Sequence, residues 1–248
     1  MRIIRVQNQS QAGQKALDLL TQALEKGAKV LGLATGSSPL SFYEALRKSS
    51  IDLRQVTSIN LGEYKGLGKD EPQSYQWFMQ EHLFQYKSLK DSFLPNGQAQ
   101  DPQEEIFRYQ EILKKYPIDF QILGIGSNGH IAFNEPHSPF DSQFRLVDLE
   151  PATIEANSHF FEQINQVPKQ AYSMGIKDIF SAKTIVLFAF GYQKAKAVRD
   201  MIEGPVTEKL PASILQKHPN TYIIADDAAL SMLYFEIDNS CQWNSHFF

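Results

Sequence analysis

A chain of 248 residues, 42% of them hydrophobic and 21% charged, has the composition of an ordinary globular protein and can bury about 70–75% of its unfolded surface without staples. Its net charge of −4 lacks the basic excess of nucleic-acid-binding domains, so no nucleic-acid partner is expected. With a single cysteine, Cys241, no intrachain disulfide can form, and a reducing, cytoplasmic setting is expected.

Apolar runs alternate with helical patterns from the start. Residues 2–6 predict a strand and residues 10–27 a helix, with Leu17, Leu20 and Leu24 on one face. Residues 1–15 turn polar too early for a signal peptide. A strand buried on both sides follows at 29–34 (KVLGLA), then a helix at 39–48, a strand at 56–61 and a helix at 74–84. A helix is expected at 102–115, a strand at 119–125 (DFQILGI), a helix near 151–162 and a strand or turn at 172–175. The most apolar strand covers 183–190 (KTIVLFAF), followed by a helix at 193–202 and a last strand at 221–225. The tail after residue 229 shows no clear period. No run approaches the 18 apolar residues of a membrane span.

This alternation implies βαβ units: a single-domain α/β fold over residues 1–248, with a mainly parallel sheet and helices on both faces. Ligands of such sheets gather at the carboxyl ends of the strands, so chemistry is sought just after each apolar run. The strand at 29–34 ends in Thr35-Gly36-Ser37-Ser38-Pro39. Ser38 suits an N-cap and Pro39 the first helical position. Hydroxyls, free backbone N–H groups and a helix dipole would converge there on a phosphate, although an ordinary capped turn has the same pattern.

The strand at 119–125 runs into Gly124-Ile125-Gly126-Ser127-Asn128-Gly129, a literal G-x-G-x-x-G. The dinucleotide fingerprint needs a helix to start at these glycines. Here His130 to Phe133 leads straight into Asn134-Glu135-Pro136, so no nicotinamide or flavin is expected. A histidine beside a carboxylate suits acid–base work near neutral pH; a structural histidine is the alternative. His130, Glu135 and His137 do not have the spacing of a common metal site.

ATGSSP, INLGEY, LGIGSNGHIAFNEP, ANSHFF and VPKQAYSMG, in this order, resemble the glucosamine-6-phosphate deaminase (isomerising) family over roughly residues 1–227. The resemblance implies a three-layer Rossmann-like fold and conversion of glucosamine 6-phosphate and water to fructose 6-phosphate and ammonia. It implies a phosphate loop at Thr35, Gly36, Ser37 and Ser38, a phosphate lysine at Lys194, and ring opening by His130 supported by Glu135. Asn128 stands where the family carries Asp or Asn, and residues 149–171 match a lid. No cofactor is implied, since proton transfers and imine hydrolysis need only side chains and water. The family contains both monomers and hexamers, so assembly is left open.

Two positions depart from the family pattern. It reads N-[LMF]-D-E-Y, with the Asp as base on the C2 proton, where this chain reads Asn60-Leu61-Gly62-Glu63-Tyr64. Gly62 cannot take a proton, and Glu63 on the opposite strand face could act only through a relaxed loop or a water. His159 stands where the family usually has a phosphate-gripping Arg, with Arg145 a candidate substitute. A related phosphosugar enzyme, acting on galactosamine 6-phosphate or a phosphogluconolactone, and a sugar-phosphate-binding paralogue without catalysis are the alternatives.

Overall fold

The computed structural model describes residues 1–158 and 161–234. His159 and the last fourteen residues, with Cys241, lie outside the described residues.

The chain runs β1 (Arg2–Val6), α1 (Gln9–Glu25), β2 (Val30–Leu33), α2 (Leu40–Lys48), β3 (Thr57–Asn60), β4 (Gly62–Tyr64), α3 (Tyr75–Met79) and β5 (Asp91–Phe93). It continues through α4 (Pro102–Lys115), β6 (Phe120–Gly124), β7 (Arg145–Asp148), α5 (Pro151–Asn157), β8 (Gln170–Ser173) and α6 (Ile176–Phe180). The last elements are β9 (Thr184–Ala189), α7 (Ala195–Glu203), β10 (Thr221–Asp226) and α8 (Asp227–Leu230). Seven strands form one parallel sheet in the order β1-β10-β9-β6-β2-β3-β5. From β2 the chain steps outward through β3 to β5, and from β6 it steps the other way through β9 to β10. Right-handed crossovers then place α1 and α2 on one face and α4, α6 and α7 on the other. This is the three-layer α/β arrangement expected from the alternation of strands and helices.

The centre of the sheet is dry. Ile185, Val186, Leu187 and Phe188 of β9, Ile122 and Leu123 of β6, and Ile223 and Ile224 of β10 are completely buried. A strand covered on both faces reads as a continuous apolar run, which is why these three were the clearest in the sequence. No helix among the described residues is long and apolar enough to cross a membrane.

The departures are local. The helix expected at 39–48 starts at Leu40 after Pro39, with no side-chain cap, so Ser38 is not its N-cap. The run at 74–84 is a helix to Met79 that widens into a π-turn over Gln80–Phe84. The helix near 151–162 ends at Asn157, and the helix expected from 193 is preceded by a 3₁₀ turn at Tyr192–Lys194.

A second sheet, absent from the sequence expectations, has the antiparallel order β4-β8-β7. It is joined to the main sheet through Leu61, whose N–H donates to the Leu33 carbonyl at 3.0 Å and whose carbonyl accepts from Met174 N–H at 2.7 Å.

Candidate active site

The switch of direction between β2 and β6 leaves a crevice at the carboxyl ends of these strands, the place where doubly wound sheets bind ligands. It opens into a cleft of about 470 Å³. Thr35, Gly36, Ser37 and Ser38, Gly62, Asn128, His130 and Lys194 all line it. Nine of the eleven candidate residues are thus in or against one cleft once Glu135, which contacts His130, is included; Glu63 is directed elsewhere and His159 lies outside the described residues.

The loop after β2 turns at Gly36, whose φ of +92° is readily adopted by glycine. No backbone carbonyl among the described residues accepts from the N–H groups of Gly36, Ser37 or Ser38, so these donors remain available for an anion. Lys194 enters from the turn before α7. Burial pulls its ammonium below the usual lysine range, and no carboxylate among the described residues offsets that shift. Desolvated and without an ion-pair partner among the described residues, it suits an anionic ligand.

On the opposite wall the GHIAFNEP loop folds back on itself. Ala132 adopts a φ of 52°, uncommon for a residue with a Cβ, and the buried Asn134 clamps the turn. Its Nδ2 donates to the carbonyls of Ile131 and Met174, each at 2.9 Å, while its Oδ1 accepts from Arg145 at 2.9 Å. The result brings Glu135 beneath His130. Gly126 permits this approach, because a Cβ there would lie 2.4 Å from the imidazole.

Glu135 is held from several sides. Asn128 Nδ2 donates to Oε2 at 2.8 Å, and the Thr153 hydroxyl of α5 donates to Oε1. His130 Nδ1 stands 3.5 Å from Oε2, an ion-pair distance, longer than a formed hydrogen bond. That ring nitrogen is otherwise buried without a partner among the described residues. Burial raises the proton affinity of Glu135, but contacts with His130, Thr153 and Asn128 together outweigh it and hold the carboxyl below its usual range. An ionised carboxylate thus sits against an imidazole whose far edge faces the cleft, an arrangement able to accept and return a proton.

Glu63, a candidate base only through a relaxed loop or a water, faces away from Gly62 as the alternation of strand side chains predicts. Its carboxylate turns away from the cleft and accepts from the N–H groups of Tyr64 (2.8 Å), Tyr75 (2.9 Å) and Gln76 (2.9 Å), capping the start of α3. Burial pushes it up to about 7 despite these bonds. It holds Tyr75 in the cleft wall, where that ring stacks on Phe133 with centroids 5.6 Å apart and planes 7° from parallel. Arg145 is likewise engaged by Asn134 and is absent from the cleft lining.

Gly62 lines the cleft with backbone alone. A Cβ at this position would fall 2.3 Å from the Tyr172 carbonyl oxygen and 3.4 Å from the Phe133 ring. The β4–β8 pair has therefore closed to a separation that only glycine tolerates. Residues not singled out by sequence also face the cleft: Tyr75, Phe133, Thr153, Asn157 and Gln193. Thr153 and Asn157 belong to the segment matched to a lid, and that correspondence was the one available signal for them.

Comparison with known proteins places this cleft in context. Residues 6–223 match the family described as glucosamine-6-phosphate isomerases/6-phosphogluconolactonase. A glucosamine-6-phosphate deaminase of Streptococcus gordonii is 59% identical over 233 residues, covering 94% of this chain and 99% of that protein. One from Lactobacillus delbrueckii subsp. bulgaricus is 57% identical, covering 94% and 100%. Among solved structures, a monomeric glucosamine-6-phosphate deaminase superposes with a TM-score of 0.89 at 38% identity, over 94% of this chain and all of that one. A 6-phosphogluconolactonase from Leishmania guyanensis, at 20% identity and a TM-score of 0.70 over 92% and 97%, shares the fold.

Proposed function

The chain belongs to the family of glucosamine-6-phosphate isomerases and 6-phosphogluconolactonases, and on that premise we propose that it converts glucosamine 6-phosphate and water to fructose 6-phosphate and ammonia. The observation that carries this reading is the meeting, in one cleft, of an anion-receptive loop and a desolvated lysine with an imidazole–carboxylate pair.

In this reading the phosphate rests on the N–H groups and hydroxyls of Thr35–Ser38 and on Lys194, which fixes the sugar in register. His130 takes the proton from the anomeric hydroxyl and returns it to the ring oxygen. The C1–O5 bond breaks and an open-chain aldehyde results. Glu135, itself oriented by Asn128 and Thr153, stabilises the imidazolium formed on the way. Removal of the C2 proton and its delivery to C1 then move the double bond to C2. The resulting imine is attacked by water and ammonia leaves.

Gly62 has no group to take the C2 proton, so in this reading that step passes to water and limits the rate. Loss of a general base costs about 10²–10⁴ in rate. The reading implies cytoplasmic work on a phosphosugar, with residues 149–171 as a lid and with monomer or homo-oligomer left open. It requires neither nucleic acid nor membrane.

The test is a panel of glucosamine 6-phosphate, galactosamine 6-phosphate and 6-phosphogluconolactone, read by ammonia release and lactone loss. Ammonia from the glucosamine compound supports the reading. Turnover of the lactone alone rejects it, because lactone hydrolysis needs no base on C2.

A further inference from the structure

The acid–base groups that face the cleft are few. Among the described lining residues there is one imidazole, His130, one ammonium, Lys194, and one phenol, Tyr75; no carboxylate lines it. Glu135 lies behind His130, occupied by Asn128 and Thr153. Glu63 faces the start of α3. Burial, with Tyr64 alongside, drives the Tyr75 phenol well above its usual range, which removes it as a base. The position nearest the second sheet, Gly62, is closed by the Tyr172 carbonyl.

We propose that this cleft is an anomerase: it interconverts the α and β forms of 6-phosphoaldohexopyranoses faster than it removes their C2 proton. The inference rests on the reading that the cleft holds a phosphosugar with its anomeric carbon at His130. Anomer exchange needs a proton taken from O1 and one given to O5, two oxygens on the same carbon. A single imidazole reaches both without changing place. The electron pair of the C1–O5 bond goes to O5, an O1 lone pair forms the carbonyl, and the imidazolium returns its proton to O5. Rotation about C1–C2 presents the other carbonyl face. The same steps in reverse then close the ring, and nothing is consumed.

Carbon deprotonation makes a different demand. It needs a base fixed beside C2 while the carbonyl at C1 stays polarised, and one imidazole cannot stand in both places. The described lining offers no second base, so oxygen-to-oxygen transfer survives intact while carbon transfer loses about 10²–10⁴. A cleft of about 470 Å³, within the usual range for small-molecule sites, leaves room for the aldehyde to turn while the phosphate stays anchored.

The experiment is proton exchange spectroscopy in D₂O on the full-length protein, with glucosamine 6-phosphate and, separately, glucose 6-phosphate, which has no amine to lose. Anomeric exchange above the buffer rate, loss of the C2 proton signal and ammonia are followed in the same samples, with binding read from the ³¹P signal. The expected result is protein-dependent anomer exchange at least about 10²-fold faster than C2 proton loss, abolished in His130→Gln while that variant still perturbs the ³¹P signal.

C2 proton loss or ammonia release as fast as anomer exchange overturns the inference and leaves the deaminase reading standing. Binding without accelerated exchange, or exchange that persists in His130→Gln, overturns it as well. Failure of glucosamine 6-phosphate to bind removes both the inference and the reading beneath it, whereas binding of glucosamine 6-phosphate without binding of glucose 6-phosphate overturns the inference alone.

Discussion

Placing a side chain at position 62 sets a steric cost against a chemical gain, and two variants separate them. The backbone now leaves 2.3 Å between a Cβ and the Tyr172 oxygen, whereas real Cβ atoms do not come within 3.0 Å, so β4 and β8 must part by 0.7 Å. Overpacking of this kind costs about 1–3 kcal/mol. At about 2–4 °C per kcal/mol for a chain of this length, Gly62→Ala and Gly62→Asp should both lower Tm by about 2–12 °C. Only the aspartate adds a base. General-base catalysis is worth about 10²–10⁴, and a misplacement approaching 1 Å takes back part of that. Ammonia release by Gly62→Asp should therefore exceed that of Gly62→Ala by about 10–10³-fold, with KM little changed. The assay is coupled ammonia release beside thermal unfolding of all three proteins. If the two variants are equally slow while folded and binding phosphosugar, a missing C2 base is not what limits this cleft. If Gly62→Ala is as stable as the parent, the close β4–β8 approach is wrong.

Lys194→Gln removes a desolvated cation from the anion site, and charged hydrogen bonds of this sort are worth about 1.5–3 kcal/mol. KM for phosphosugar should rise about 10–150-fold with little change in Tm; an unaltered KM would exclude Lys194 from phosphate binding. Glu135→Gln deprives His130 of its charged neighbour while keeping the size of the side chain, and turnover should fall about 10²-fold or more. Retention of full turnover would leave His130 unsupported as the acid–base group. Glu63 makes the pH prediction. Its folded value of about 7 exceeds the ordinary 4.5, so the native state holds a proton that the unfolded chain has released, and its contribution to stability falls as pH rises from 4.5 to 7. Relative to Glu63→Gln, the parent should lose at most about 3 kcal/mol over that window. A difference that is flat with pH, measured by denaturant unfolding, would show that Glu63 does not titrate there.

Much of this molecule was legible in its residues for identifiable reasons. The strands at β2, β6, β9 and β10 are buried on both faces and read as apolar runs, and the loops that follow β2 and β6 carried the chemistry where doubly wound sheets put it. The second sheet was not legible. β4 has three residues and β7 and β8 four each, too short to show alternation, and β4 opens on a glycine, which usually weakens a strand. Its pairing depends on β8, more than a hundred residues away, which no local pattern reveals. Glu63 was legible in part: strand alternation set it on the face away from Gly62, but only the fold shows its carboxylate spent on the N–H groups of α3. Ser38 misled in a smaller way: its hydroxyl stays in the cleft rather than capping α2, because the helix starts beyond Pro39.

The most direct test of the central claim is product formation by the unaltered protein at high concentration, with glucosamine 6-phosphate in excess and ammonia and fructose 6-phosphate measured together. Equal amounts of both products, formed slowly and lost in His130→Gln, are the predicted result. Absence of both products, with the phosphosugar demonstrably bound, would contradict the assignment of this cleft to deamination.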